Sequence, residues 1–429
     1  MAESINLLGS LSRVEIPFIK VVIGNYVFGV YDKETVKLSD INLKESFTQH
    51  NITYPNYIQS LHIQKLNGQV NSYTLNISYP VTQNSDPNFF EKVFSSISKS
   101  RKIIFSYGDL AAPTFIYRNE EAIINKVSSN FSATSSVISY TIQATSSSAV
   151  VLSTTYSFKA RRDKPSDVIK ELLYSPMYNL KEIFYGMKDK SLVEFNNLIP
   201  DNDKIVDIQA KDNISILDYL SYLVDCMTSL NDVWTKLLKQ HIYILTISDD
   251  ISGKYNGPYF KITEVKKDLK NISLLKKDIL QTYEIDIGYP SQNIVTNFNI
   301  EDDSSYSILY NYQEGLQQEN YVRRINDKGE MEDVYAPSIS SKNSLHLTTE
   351  ADRTWWTKVT SFPIKANITI KGLLRPAILM THVKLNIYFY GQKHISSGTY
   401  IITKQIDQID SSGFKTILNL SKVQGDFDF

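Results

Sequence analysis

Residues 398–423, "GTYIITKQIDQIDSSGFKTILNLSKV", alternate apolar and polar side chains, turn at Ser411-Ser412-Gly413, and alternate again. Alternation on both sides of a Ser/Gly turn is the pattern of a β-hairpin that lays one face on a core. Much earlier, residues 120–148 read "EEAIINKVSSNFSATSSVISYTIQATSSS", the same hairpin in other residues. The fold therefore turns on whether the chain contains one β-module twice.

Laid over each other, Ile123-Ile124-Asn125-Lys126 falls on Ile401-Ile402-Thr403-Lys404, an offset of 278 (401 less 123). Past the turn, Ile138, Ile142 and Ala144 fall on Phe414, Leu418 and Leu420, an offset of 276 (414 less 138), so the first turn is longer. Upstream, "IIFSYGD" (103–109) matches "NIYFYGQ" (386–392), with Tyr107-Gly108 on Tyr390-Gly391. Further back, "LNIS" (75–78) matches "ANIT" (366–369). The four pieces keep one order, and the length differences fall in connections, where a duplicated fold tolerates them.

Working outward, residues 1–150 read as the first β-domain. Asn67-Gly68 sits between two alternating runs as a hairpin signal. In "SDPNFFEKVFSSISKS", Asp86 as cap and Pro87 at the first helical position predict a helix, with Phe89, Phe90, Val93, Phe94 and Ile97 on one face. A Ser/Thr-rich passage ending in "FKARRDKP" marks a boundary, and residues 151–289 read as an α+β middle domain. Its best helix lies in "DNISILDYLSYLVDCMTSL", capped by Asn213 or Ser215, with Ile216, Leu217, Leu220, Leu223, Val224 and Met227 facing a core. Residues 290–312 and 346–425 read as a second, discontinuous β-domain. It is interrupted at 313–345 by a polar, turn-rich excursion, mobile or ordered only by a partner. The fold class expected is mainly β: two similar β-domains flanking an α+β block.

Composition narrows the function more than it names it. The 429 residues carry a net charge of −1, so no overall basic field marks a nucleic-acid or anionic-membrane binder. A single cysteine, Cys226, excludes an internal disulfide framework, and its neighbours "YLVDCMTSL" make it a packing thiol. The start "MAESINLLGSLSRVEIP" lacks the basic and apolar runs of a signal peptide, and no stretch is apolar enough for a membrane span. The expectation is a soluble product made in the cytoplasm, with no membrane insertion.

Catalytic and metal-binding patterns are missing. His50, His62, His241, His346, His382 and His394 show no metal-ligand spacing, and no nucleophile elbow, phosphate loop or dinucleotide glycine string occurs. Asp302-Asp303 reads as a solvated turn, since adjacent strand residues point to opposite faces. Arg161-Arg162 and Arg323-Arg324 read as loop charges, with interface salt bridges as the functional alternative. No catalytic residue, cofactor or metal is expected. In "TTEADRTWWTKV", neighbouring rings on a helix cannot both face one core, so Trp355 and Trp356 are the candidate subunit contacts, against the plainer reading of two partly buried rings.

Two like β-domains per chain offer little to a single active site but much to a ring. Three chains closed about an axis present six like units on one face and true threefold symmetry elsewhere. The stretches "GYPSQNIVTNFNIEDDSSYSILYNYQ" (288–313) and "KGLLRPAILMTHVKLNIYFYGQKHISSGTYIITKQIDQIDSSGFKTILNLSKV" (371–423) resemble the baseplate hub proteins of tailed phages and related contractile injection machines. That family typically ends in a strand entered after "SG-x-Y-x-I", a turn with Gly, and a final "T-x-L-x-L" strand. Here these are Ser397-Gly398-Thr399-Tyr400-Ile401-Ile402, Gly413, and Thr416-Ile417-Leu418-Asn419-Leu420. The resemblance spans roughly two thirds of the chain and implies that the two β-domains are tube-type split β-barrels of a homotrimeric structural hub in the virion tail baseplate. Its partners would be the tail tube protein, a separate trimeric central spike and other baseplate proteins. DNA would pass through the bore without specific binding. Two rivals stand beside it: a carbohydrate-binding or adhesion module of the tail periphery, and a cell-wall hydrolase of the tail tip.

Overall fold

The computed structural model describes residues 17–30, 53–54, 57–95, 101–109, 116–227, 229–230, 240–267, 279–288, 295–302, 321–325, 331–335, 364–371, 379–410 and 413–425, a few single positions within these spans excepted. The chain is mostly β, and one 15-stranded sheet organises it.

The first part supplies β1 (Pro17–Ile23), β2 (Tyr26–Val30), β3 (Thr53–Tyr54), β4 (Ile58–Leu66), β5 (Ser72–Pro80), β6 (Lys102–Asp109), β7 (Ile116–Phe131) and β8 (Val137–Ser146). Their order is β4-β5-β8-β7-β6-β1-β2-β3. Helix α1 (Phe89–Ser95) crosses between β5 and β6 and buries Phe90 and Val93 in the sheet's core. The Asp86 carboxylate accepts from the Asn88 N–H at 2.9 Å and pairs with Lys92, fixing the helix entry.

The last part supplies β16 (Ile279–Ile287), β17 (Val295–Asp302), β20 (Ile364–Lys371), β21 (His382–Phe389), the short β22 (Gln392–Lys393), β23 (Gly398–Asp410) and β24 (Gly413–Gly425). Its order is β17-β20-β24-β23-β21-β16. Strand by strand this is the order β4-β5-β8-β7-β6-β1 of the first part. The long hairpins agree to the residue. Ile124 pairs Ala144 and Ile402 pairs Leu420, and both ladders then skip one residue, Asn125 or Thr403, before resuming at Lys126–Gln143 and Lys404–Asn419. An extra residue at one place in both copies is a shared β-bulge, a feature folds keep rather than acquire by chance.

Registers correct two of the sequence matches. Lys102 pairs Ile123 and His382 pairs Ile401, so Tyr107 corresponds to Ile387 rather than to Tyr390. Tyr107 lies inside its strand at 1% exposure; Tyr390, 76% exposed, forms with Gly391 the left-handed turn between β21 and β22 (φ 51° and 80°). Leu75 pairs Ile142 and Ile368 pairs Leu418, so "LNIS" and "ANIT" are out of step by two residues. A two-residue slip keeps every side chain on its face, which is why the pattern hid it. One strand differs in direction: β1 is antiparallel to β6, whereas β16 is parallel to β21.

Between these parts lie β9 (Thr155–Phe158), β10 (Arg161–Asp163), β11 (Val206–Ile208), β12 (Lys211–Ser215), β13 (Ser229–Leu230), β14 (Gln240–Ser248) and β15 (Tyr259–Lys267). With them run α2 (Ala149–Leu152), α3 (Pro165–Tyr174), α4 (Leu180–Ile183), α5 (Leu192–Leu198) and α6 (Ile216–Met227). They enclose a second core around α3 and α6. Ser215 caps α6, its Oγ accepting from the Asp218 N–H at 3.1 Å, while Asn213 takes a left-handed conformation in β12. Cys226 is buried in this core as a free thiol. The last strand of the 151–289 span, β16, lies in the large sheet. The alternation of "TYEID" sets Tyr283 and Ile285 on one face, and β16 lays them into the sheet's core beside β21. The 313–345 excursion is not featureless: it holds an antiparallel hairpin of β18 (Tyr321–Ile325) and β19 (Met331–Tyr335).

Candidate functional site

The two β-units are joined by a strand pair. Before its bulge, β23 pairs β21 through Gly398–Ile401; after it, residues 404–410 pair β4 from Leu66 back to Ser60. The bulge redirects the strand, so one hairpin belongs to its own unit and to its neighbour. At this seam Ile409 lies opposite Leu61, and both are buried.

Behind the seam is a closed ionic joint. Lys65 on β4, Glu120 on β7, Asp249 after β14 and Asp407 on β23 are 6%, 1%, 1% and 1% exposed. The Lys65 ammonium donates to the Glu120 carboxylate and to the Tyr107 hydroxyl, the latter at 3.1 Å. The Arg118 guanidinium lies 3.6 Å from Glu120 Oε1. The Tyr107 hydroxyl sits 3.1 Å from Glu120 Oε1 and 3.4 Å from Asp407 Oδ2. On the second unit's side, Gln405 Nε2 donates to Asp407 Oδ2 at 2.7 Å and Thr416 Oγ1 to Asp407 Oδ1 at 2.8 Å. On the middle block's side, Asp249 Oδ2 accepts from Ser146 Oγ at 2.6 Å and from Asn71 Nδ2 at 2.7 Å. The Tyr73 hydroxyl stands 2.9 Å from both Glu120 Oε2 and Asp249 Oδ2.

The local sequence explains the convergence. Period-two alternation aims Lys65 inward with Leu61 and Ile63 on β4. The Asn67-Gly68 turn is wider than a two-residue hairpin, since pairing of β4 with β5 stops at Gln64–Ser72. Lys65 and Asn71 turn into the joint, and Gly68, at φ 65°, donates its N–H to Leu245 O in β14. Backbone bonds from Glu121 N to Asp249 O and from Ile251 N to Asn119 O stitch the middle block to β7.

Electrostatics separate the three carboxyls. Burial pushes the Asp249 carboxyl up to about 6, with the Glu120 charge adding to the rise. Burial also raises Asp407. Burial works in the same direction on Glu120, but the Lys65 and Arg118 cations beside it win and hold it below the usual carboxylate range. One phenolic proton cannot serve two ionised carboxylates, so the shared Tyr73 contact also favours a proton on Asp249. The Lys65 and Arg118 cations then face the ionised Glu120, in a cluster whose carboxyls are shut away from any substrate. Its chemistry is that of a fastener for three parts of the chain.

The residues singled out in the sequence lie elsewhere. Trp355 and Trp356 fall outside the described residues, as does Asp303. Asp302 ends β17 opposite Ile364, a strand position rather than a turn. Arg161 is bonded within the chain to Glu171 at 2.7 Å and to Asp163, and Arg162 stands 3.8 Å from Asp207. Register sets Arg323 opposite Asp333 and Arg324 opposite Glu332. His382 is a strand residue opposite Ile401. Among the described residues no group of three or more His, Cys, Asp or Glu is placed to hold a metal ion. The joint itself is not legible in the sequence because its members come from eight separated segments. Only the single Lys65 in an apolar alternation hinted at it.

No protein-family description matches the chain, and no curated protein sequence matches it. Solved structures do. The 43 kDa tail protein of prophage MuSo2 from Shewanella oneidensis aligns at a TM-score of 0.48 and 9% identity, covering 95% of this chain and 98% of that one. A tail protein from Neisseria meningitidis MC58 aligns at 0.46 and 9%, covering 95% and 96%. The E. coli c3393 protein is described as a type VI secretion component with structural similarity to the T4 bacteriophage tail proteins gp27 and gp5. It aligns at 0.42 and 6%, covering 87% and 76%.

Proposed function

We propose that this chain is a structural component of a phage-type tail: a baseplate hub subunit that assembles as a homotrimer and fits a sixfold tube to a threefold spike. The observation that carries the reading is the repeated unit. Six strands recur in one order with the same bulged hairpin, and the two copies are fused edge to edge within one sheet. Three such chains closed about an axis offer six quasi-equivalent surfaces to a tube on one side and three to a spike on the other. The sequence resemblance of 288–313 and 371–423 to hub proteins points the same way.

In this reading the ionic joint fixes the angle between units, which a ring of set diameter requires, and no residue performs a catalytic step. The tail tube protein, a separate trimeric spike and other baseplate proteins are the partners, DNA passes the open centre, and the working location is the virion baseplate. Native mass in solution with averaged images of negatively stained particles tests this. A mass of three chains and a ring with an open centre are expected. A monodisperse monomer at micromolar concentration overturns the hub.

A further inference from the structure

The middle block meets the first β-unit through a chain of buried oxygens that is one proton short. Glu120 Oε2 lies 2.9 Å from the Tyr73 hydroxyl, which lies 2.9 Å from Asp249 Oδ2. Each of the two contacts needs a hydrogen, and the phenol carries only one. The second must ride on a carboxyl. Lys65 and Arg118 flank Glu120 and keep it ionised, so the proton belongs to Asp249. Asp249 Oδ2 also accepts from Ser146 and Asn71, whereas Oδ1, buried as well, takes no hydrogen bond from the described residues. An ionised Asp249 in the closed joint would leave a charged oxygen without a donor, a costly state away from water.

Asp249 also stands where the two parts are tied. Its carbonyl accepts from the Glu121 N–H at 3.1 Å, and the Ile251 N–H reaches Asn119 O at 2.9 Å. Further back along β14, Leu245 O accepts from the Gly68 N–H at 2.8 Å. Ile244 on β14 and Val265 on β15 add an apolar contact with the large sheet's core. The core around α3 and α6 is separate from that contact, so the block can lift from the sheet without opening its own interior. The elements around the joint bring Lys65 from β4, Tyr73 from β5, Tyr107 from β6, Arg118 and Glu120 from β7 and Asp407 from β23, and Asp250 follows Asp249 in the chain.

We propose that this proton is a latch: while it is held, the middle block is clamped to the first β-unit, and its loss as pH rises lets the two part locally while both cores stay folded. The latch does not depend on how many chains assemble. Burial in the closed joint raises the Asp249 carboxyl from 3.8 to about 6, so the closed form binds the proton more tightly than the parted form, in which water meets the carboxylate. The opening constant is then flat below pH 3.8, rises by up to about tenfold per pH unit until about pH 6, and levels off above it, roughly a hundredfold in all. Lys65, Tyr107, Arg118 and Asp407 stay around Glu120 when the block lifts, so the closed and parted forms differ chiefly at Asp249.

Hydrogen exchange of the full chain, read by mass spectrometry from pH 4 to pH 7.5 and corrected for the intrinsic pH dependence of amide exchange, tests the latch. Peptides carrying the Gly68, Glu121 and Ile251 N–H groups report parting, and peptides from β5 and α6 report the two cores. The expected result is a rise in opening of about sixtyfold at the three crossing amides, with the core peptides unmoved. Asp249→Asn keeps an acceptor for Ser146 and Asn71 but has no proton to lose, and its profile is expected to be flat over the same range. A flat profile in the unaltered chain overturns the latch, and that profile decides the matter by itself should Asp249→Asn not fold. A rise of equal size in Asp249→Asn also overturns it. So does an equal rise in the core peptides, which marks global unfolding instead of local parting.

Discussion

The two β-units share strand order, hairpin and bulge, yet their interiors differ at the positions that matter most. Where the first unit has Tyr73, Tyr107 and Glu120, the second has Ala366, Ile387 and Gly398 at the corresponding places. The fold therefore does not need the charges. What needs them is the meeting of the first unit with the second unit and the middle block, where Asp407 and Asp249 arrive from outside the first unit. Buried ionic clusters seldom add stability over well-packed apolar ones, and their attested use is to fix one arrangement among several. A symmetric repeat has an obvious competing arrangement, the mispairing of equivalent edges, and an ionic joint in only one copy discriminates against it.

The bulge makes the sharpest test of this contrast. Deleting Thr403 makes Ile402–Leu420 and Lys404–Asn419 consecutive pairs, which keeps every side chain on its face but removes the bend by which β23 passes from β21 to β4. Drawing residues 404–410 away from β4 disrupts the apolar seam and the joint together, which is expected to cost more than about 5 kcal/mol, and the second unit should fail to fold cooperatively on calorimetry. Deleting Asn125 removes the same bend where every following side chain up to Phe131 is exposed, so the lone chain should lose only about 1 kcal/mol. Similar losses for the two deletions would break the comparison.

How far the sequence revealed this follows from the reach of each signal. The hairpins were legible because alternation is local, and their alignment at Ile124–Ile402 survives to the residue. The Tyr-Gly match failed because an identity pair carries no register: Tyr107 is a core residue and Tyr390 a turn. The place of the strand 279–287 in the large sheet is not legible because it finds its partner far along the chain, at 382–389, and in parallel, which leaves no turn to read between them. The joint was illegible for the same reason. Asn71 and Asp249 are 178 residues apart, and Tyr107 and Asp407 are 300 apart. No spacing rule spans such distances.

Within the joint, the next largest effect belongs to Glu120. Glu120→Ala leaves the Lys65 ammonium buried without the carboxylate it is bonded to, and takes from the Arg118 guanidinium a carboxylate 3.6 Å away. A loss of about 3–5 kcal/mol is expected in denaturant titrations. Replacing an exposed pair such as Lys164–Asp203, where Asp203 is almost fully solvated, should change stability by less than about 0.5 kcal/mol. If the two replacements prove equal, the buried cluster is no fastener.

The smallest effect is a dependence on pH, and its sign is opposite to that of an ordinary salt-bridged acid. The Asp249 carboxyl rises in the folded chain from 3.8 to about 6, so the folded state holds that proton more tightly than the unfolded one. Its contribution is fully present below pH 3.8 and is lost as pH rises through 6, a change of about 3 kcal/mol. Glu120 runs the other way: held low in the fold, it contributes above the unfolded value of 4.5 and loses that contribution as acid protonates it. The raised Asp407 shares the sign of Asp249. Asp249→Asn separates these, because an amide keeps an acceptor for Ser146, Asn71 and Tyr73 but carries no titrating proton. Unfolding free energies of Asp249→Asn and the unaltered chain, measured from pH 4 to pH 7.5, should diverge across the window from about 4 to about 6. The variant should gain relative stability as pH rises. A difference that stays constant through that window would mean Asp249 enters the joint already ionised, and the Tyr73 hydroxyl would then have to bridge two negative carboxylates with one proton.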